Sequence, residues 1–159
     1  MAETLTSKTT EFSAGQTGAL ALHYNDATER YHPIVRLEAG TLGGVDRYRF
    51  ANAATTNATS IKAGPGQLYG WFITSVSPEA NYLKFYDKAS APTVGSDSVV
   101  LAPVFIPVGS TTTQEKFAWF PQGIVFATGI ACSLVEGFLD SDTAATDTAN
   151  ELYVTIFYK

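Results

Sequence analysis

From about residue 58 to its end, the sequence is a series of short apolar, aromatic and β-branched runs separated by turn residues. Runs of this length, bounded by Gly, Pro, Asn and Asp, are typical of β-strands. A closely spaced series of them is the pattern of a sandwich or a barrel. No segment repeats its apolar residues at the 3.6-residue period of a helix. The chain is therefore predicted to be all-β.

The strands can be placed from alternation and turn signals. Pro103 interrupts one predicted strand, which indicates an edge or bulged position because proline cannot donate to a strand ladder. Another strand, 67–77, is predicted to be buried on both sides, because one face carries Tyr69, Trp71 and Ile73 and the other carries Leu68, Phe72 and Val76. In the last strand, one face carries Leu152, Val154 and Ile156. The clear strands are predicted at 59–63, 67–77, 82–86, 99–106, 116–120, 124–127, 130–135 and 151–158, with weaker candidates at 19–23, 34–38 and 47–50.

A turn at 78–81 predicts a hairpin between strands 67–77 and 82–86. Within 82–86, Leu83 and Phe85 point one way, whereas Tyr82, Lys84 and Tyr86 point the other, more hydrophilic way. The long connection 87–98 suits a crossover between two sheets.

The sequence shows no internal repeat and no domain linker. Residues 1–15, rich in Thr, Ser and Glu, are predicted to form a flexible arm. Residues 16–159 are predicted to form a single sandwich domain, most regular from about residue 58.

The charge and the apolar pattern of the chain argue against nucleic acid and membranes as partners. The 159 residues have a net charge of −5, and only 16% of them are charged, against roughly 25% in typical soluble domains. We expect no nucleic-acid partner, because binding the phosphate backbone needs clustered Lys and Arg. We also expect no membrane partner, because the negative charge disfavours docking on anionic lipid and the longest apolar run, 99–106, is about a third of a spanning helix. The N-terminus has no secretory signal pattern.

The residues that carry catalysis are few. The two histidines, His23 and His32, have no nucleophile in a recognisable motif, and the one cysteine, Cys132, alternates with apolar neighbours. Asp140, Asp142 and Asp147 offer oxygen ligands, but the spacing of a calcium loop is missing. The chain is therefore predicted to be neither an enzyme nor a cofactor or metal protein.

A set of aromatic residues allows two interpretations. On strands, these side chains could form a carbohydrate platform or a protein interface, but most of them are expected to fill the core. Tyr82 and Tyr86, which flank Lys84 on the hydrophilic face, are the predicted interface residues. The set comprises Tyr69, Trp71, Tyr82, Tyr86, Phe117, Trp119 and Phe120.

The segment 57–73, NATSIKAGPGQLYGWFI, is followed at 82–97 by YLKFYDKASAPTVGSD, at 121–124 by PQGI and at 151–159 by ELYVTIFYK. This ordered series resembles a family of small structural proteins of tailed bacteriophages and prophages. The resemblance covers about residues 55–159, and its most specific element is the block 82–97. Family members often carry a proline after the Gly-x-Asp, where this chain has Ser98.

The resemblance implies a jelly-roll-like β-sandwich of about eight strands that belongs to a virion and has no enzymatic role. We expect a capsid decoration (cement) protein that binds the major capsid protein or other virion proteins and forms a homo-oligomer, a trimer. The alternative is a tail or tail-fibre component that binds host glycans through its aromatic residues.

Overall fold

The computed structural model describes residues 21–25, 30–34, 44–109 and 112–159. Its contacts divide the chain into two units, 1–44 and 45–159. In the first unit, β1 (Ala21–Asn25) and β2 (Arg30–Ile34) form an antiparallel two-stranded sheet in which His23 is the register partner of His32. The predicted arm, 1–15, lies outside the described residues, as do the outer ends of the two weak strand candidates 19–23 and 34–38.

The second unit is a sandwich of two antiparallel four-stranded sheets. Sheet 1 has the order β3-β10-β5-β8, and sheet 2 has the order β4-β9-β6-β7. The strands are β3 (Asp46–Ala51), β4 (Thr59–Lys62), β5 (Gly66–Ser75), β6 (Asn81–Asp87), β7 (Val104–Ile106), β8 (Gln114–Phe126), β9 (Ile130–Val135) and β10 (Leu152–Tyr158).

The chain alternates between the two sheets at every step except β6 to β7. This is the double Greek-key order of a jelly roll. None of the described residues lies in a helix. The prediction of an all-β, jelly-roll-like sandwich of about eight strands is confirmed. None of the described strands of sheets 1 and 2 precedes Asp46, whereas the sequence placed the start of the sandwich domain at residue 16.

The core lies between the inner faces of the two sheets. The Trp71 ring of β5 packs against the Phe85 ring of β6 across the sandwich, with centroids 5.5 Å apart. Alternation along β10 points Leu152, Val154 and Ile156 inward, as the sequence predicts, and all three are buried. Burial of such side chains is the main force that holds the sheets together.

Two predicted connections are wrong. Strands β5 and β6 belong to different sheets and do not form a hairpin, so the turn before Asn81 carries the chain across the sandwich. Conversely, the connection after Asp87 leads to β7, which pairs with β6 in the same sheet. Local turn signals mark where a strand ends, but the partner of the strand depends on distant residues.

Strand limits also differ from the sequence prediction where prolines lie. Only Val104–Ile106 of the predicted strand 99–106 is extended, and it follows Pro103 as an edge strand of sheet 2. The predicted strands 116–120 and 124–127 are one strand, β8. Its residues 120–123 have no partners on β5, because the register shifts from Gly70↔Trp119 to Leu68↔Ile124. Pro121 therefore sits where no ladder hydrogen bond is needed.

The same irregularity changes which residues of β5 face the core. The sequence placed Leu68 opposite to Trp71 and Ile73, but all three are fully or almost fully buried on the inner side. Gly70 causes the change: its backbone has φ +156°, and a β-carbon there would collide with the carbonyl oxygen of Ala118. Tyr69 and Phe72 are only half-buried, so β5 is not buried equally on both sides.

Candidate functional site

The three predicted interface residues lie on one face of β6 but differ in exposure. Tyr82, Lys84 and Tyr86 do share the outer face of sheet 2, but Lys84 and Tyr86 are fully or almost fully buried and Tyr82 is half-buried. The prediction of an exposed hydrophilic face is wrong for Lys84 and Tyr86. The β9–β10 loop, 136–151, lies over this face, and sequence alternation cannot reveal a loop that covers a sheet.

Hydrogen bonds fix this cover. The Lys84 ammonium donates to the carbonyl oxygens of Leu139, at 2.5 Å, and Asp142, at 3.4 Å. Beneath the loop, the Tyr86 hydroxyl of β6 and the Ser133 hydroxyl of β9 form a buried hydrogen bond of 3.0 Å within sheet 2. Burial lowers the pKa of Lys84 because it disfavours the charged form, whereas the negative charges of Asp142 and Asp140 raise it by a smaller amount. Lys84 is thus a structural anchor and is not available to a partner.

The most specific part of the family resemblance, 82–97, forms strand β6 and the first part of the following loop. The Asp87 carboxylate accepts hydrogen bonds from the backbone N–H groups of Ala127, Thr128 and Gly129 at 2.7–3.1 Å. These bonds, led by that of Thr128, lower the pKa of Asp87. Asp87 therefore joins the end of β6 to the β8–β9 turn.

The loop that follows has its own ion pair. The Lys88 ammonium lies 2.5 Å from the Asp97 carboxylate, which also accepts the N–H of Thr93 at 2.6 Å. The hydrogen bond from Lys88, followed by that from Thr93, lowers the pKa of Asp97. The four charged residues of this block, Lys84, Asp87, Lys88 and Asp97, thus have partners within the chain.

The largest exposed aromatic feature lies on the outer face of sheet 1. Phe117 is 65% exposed and Trp119 44%, and both point away from the core while Ala118 between them packs against it. Tyr153 is also exposed. We call this surface the aromatic face, and it consists of Tyr69, Phe72, Phe117, Trp119, Tyr153 and Phe157.

Strand register brings these rings together. Gly70 is the partner of both Trp119 on β8 and Phe157 on β10, so the two rings approach each other over a residue that has no side chain. The Trp119 centroid lies 5.9 Å from that of Phe157 and 6.1 Å from that of Tyr69. These distances are typical of favourable aromatic pairs.

Two arginines border the aromatic face on the edge strand β3. Arg47 is the register partner of Phe157, and Arg49 that of Thr155. The Arg49 guanidinium lies 5.0 Å from the centre of the Tyr153 ring, a cation–π distance. Both side chains are exposed, and neither forms an ion pair with any residue that the structure describes. The opposite edge, on β8, carries Glu115 and Lys116.

The aromatic residues singled out in the sequence therefore have different positions. Trp71 and Tyr86 are buried, Phe120 packs against the core, and Tyr82 is half-buried. Tyr69, Phe117 and Trp119 lie on the aromatic face. Phe157 and Arg47 complete this surface but were not singled out, because only the strand order places β10 beside β5 and β3 beside β10.

A second exposed apolar surface lies at the β9–β10 loop. Phe138 and Leu139 are 59% and 64% exposed. The Phe138 ring packs on Tyr82, which also contacts Phe105 of the edge strand β7. We call Phe138, Leu139 and three acidic residues of the same loop, Glu136, Asp140 and Asp147, the acidic loop.

The remaining groups named from the sequence are placed as follows. Cys132 is buried in the core, and burial raises its pKa to about 12. In the described part of the chain, no group of three or more His, Cys, Asp or Glu residues is placed to hold a metal ion. Nor does any helix among those residues have the length and apolar character to cross a membrane.

Comparisons with protein-family models, with curated proteins and with solved structures gave no match to this chain.

Proposed function

We propose that this chain is a structural protein of a tailed-phage virion, a capsid decoration protein that stabilises the shell through protein–protein contacts. The observation that carries the protein–protein part is the aromatic face, where six aromatic side chains share one sheet surface beside two arginines that form no ion pair with any residue the structure describes. Contiguous exposed apolar surface is uncommon on monomers and is typical of interaction sites. Aromatic residues and Arg are also the residues enriched at protein interfaces.

The virion part of the proposal is supported by the sequence resemblance over about residues 55–159. Charged residues of its most specific block have structural partners: Asp87 accepts hydrogen bonds from three backbone N–H groups, and Lys88 pairs with Asp97. A rigid sandwich with low charge suits a subunit that is covered by neighbours on several sides.

The test uses phage particles that carry this chain. Cryo-electron microscopy of the particles should show its density on the capsid shell, and density at the tail alone would contradict the capsid assignment. Particles without the chain should lose their genome at lower temperature or lower salt than complete particles.

A surface variant connects the location to the aromatic face. Phe117→Ser with Trp119→Ser should prevent incorporation into particles while leaving the fold intact, because both side chains are exposed. The matched control is Val100→Ser, which removes an apolar side chain of 45% exposure from the β6–β7 loop. Normal incorporation of the double variant would argue against the aromatic face as the contact.

The second candidate is a tail or tail-fibre component that binds glycans. The neighbouring rings of Tyr69, Trp119 and Phe157 favour it, because sugars stack on flat exposed aromatic surfaces. A glycan array probed with the wild type and with Trp119→Ala distinguishes the two candidates. Binding that Trp119→Ala abolishes would favour the glycan function. Trp71→Ala is unsuitable for this test, because Trp71 lies in the core.

A further inference from the structure

The aromatic face and the acidic loop are complementary in composition. The aromatic face presents exposed rings and, on β3, two arginines with no ion pair to any described residue. The acidic loop presents exposed Phe138 and Leu139 and, in the same loop, the exposed acidic residues Asp140 and Asp147. Apolar contact bordered by opposite charges is the usual arrangement of a specific protein interface.

The two surfaces of one chain cannot meet each other. The aromatic face is the outer surface of sheet 1. The acidic loop packs on Tyr82, whose side chain is on the outer face of sheet 2, because its neighbours Leu83 and Phe85 point into the core. The two surfaces therefore lie on opposite sides of the sandwich.

We propose that the aromatic face of one copy of this chain binds the acidic loop of a second copy. Phe138 and Leu139 of one copy would pack on Phe117, Trp119 and Phe157 of the next, and Arg47 and Arg49 would face the loop carboxylates. Such a contact joins two different surfaces, so it produces a closed ring when the rotation between copies closes and an open chain when it does not.

The proposal goes beyond the proposed function, because it names the two surfaces of this chain that join copies, and their contact needs no virion partner. Its failure can therefore be distinguished from failure of the virion assignment: the first is read from the purified chain and the second from the particles. A monomeric chain that still occupies the capsid shell would overturn this inference alone.

The first experiment measures association of the full chain by sedimentation velocity over a range of concentrations. The wild type should associate as its concentration rises. The double variants Phe117→Ser/Trp119→Ser and Phe138→Ser/Leu139→Ser should each weaken association by about tenfold or more, the scale of central interface residues. Val100→Ser should have no effect. A wild type that remains monomeric up to about 1 mM would overturn the proposal.

The second experiment tests whether the two surfaces touch each other. Arg47→Glu/Arg49→Glu and Asp140→Lys/Asp147→Lys should each weaken association, since each places like charges in the contact. The chain with all four substitutions should regain association, because the charges are then exchanged on both sides. Circular dichroism verifies that every variant is folded.

Each other occupant of the aromatic face gives a different result. If the face bound only a glycan or another protein, the purified wild type would remain monomeric. If two aromatic faces met each other, the substitutions in the acidic loop would leave association unchanged. Loss of association in the aromatic-face variant alone would therefore contradict the proposal, as would a four-substitution chain that remains as weak as its two parents.

Discussion

The Lys84 ammonium donates a 2.5 Å hydrogen bond to the carbonyl oxygen of Leu139, 55 residues further along the chain. This bond holds the β9–β10 loop over the outer face of sheet 2 and positions the exposed Phe138 and Leu139. A residue that resembles a surface lysine in the sequence is thus part of the support of the acidic loop.

We expect Lys84→Met to destabilise the protein by about 1–3 kcal/mol, because the carbonyl oxygens of Leu139 and Asp142 lose a donor. Denaturant unfolding measures the loss, and hydrogen exchange should show faster exchange in the β9–β10 loop. The control is Lys116→Met, which replaces an exposed lysine of β8. Equal stability of the two variants would contradict the role of Lys84.

Gly70 should tolerate no side chain. Gly70→Ala places a β-carbon against the backbone of Ala118, and the strand must shift to relieve the collision. We expect a loss of about 1–3 kcal/mol in unfolding free energy, the range of overpacked cores. The control is Gly64→Ala, where nothing lies within 4 Å of the added atom. If Gly70→Ala unfolds at the same denaturant concentration as this control, the close approach of β5 and β8 is wrong.

Acid should weaken the link between β6 and the β8–β9 turn. The pKa of Asp87 is lowered from 3.8 in the folded state, chiefly by the N–H of Thr128, so protons bind the unfolded chain more readily. The stabilisation from Asp87 is complete above pH 3.8 and is lost as the pH falls through the folded pKa.

The corresponding measurement is the melting temperature between pH 7 and pH 2.5. Asp87→Asn should melt below the wild type at pH 7, and the difference should shrink on acidification. Asp97→Asn should behave in the same way, since its pKa is lowered by Lys88 and Thr93. The control is Asp46→Asn at the exposed start of β3. A difference for Asp87→Asn that stays constant with pH would contradict this account.

Cys132 should be unreactive in the folded protein. Its side chain is buried in the core, and its pKa is raised to about 12, so almost no thiolate exists at pH 8. A thiol reagent should label the native chain no faster than the chain unfolds, and should label it fully in guanidinium chloride. Rapid labelling of the native protein would show that β9 is accessible.

The sequence predicted the elements of the fold better than their partners. Alternation in the predicted strands 151–158 and 82–86 placed Leu152, Val154, Leu83 and Phe85 in the core correctly, because side chains of a strand alternate between two faces. It failed at Leu68, because the irregularity at Gly70 changes the alternation. It also failed for the β5–β6 hairpin, because a tight turn between two strands does not require the strands to pair.

The candidate site was predicted in part. Tyr69, Phe117 and Trp119 were noted as aromatic residues that could form a platform, yet the interface prediction favoured Tyr82, Lys84 and Tyr86. The observed exposure is the opposite of the predicted one: Lys84 and Tyr86 are buried, whereas Phe117 and Trp119 are exposed to solvent. Residue type does not reveal this difference, since aromatic residues serve in cores and in interfaces alike.

By itself, the sequence determined that this chain forms short strands with an apolar face, because alternation and turn residues act over a few neighbouring positions. Only the tertiary structure decided which faces are covered. Phe157 meets Trp119 because β10 and β8 flank β5 in sheet 1, and Lys84 is buried because a loop more than 50 residues away folds over it. Burial and exposure depend on contacts between distant residues, and no local pattern encodes them.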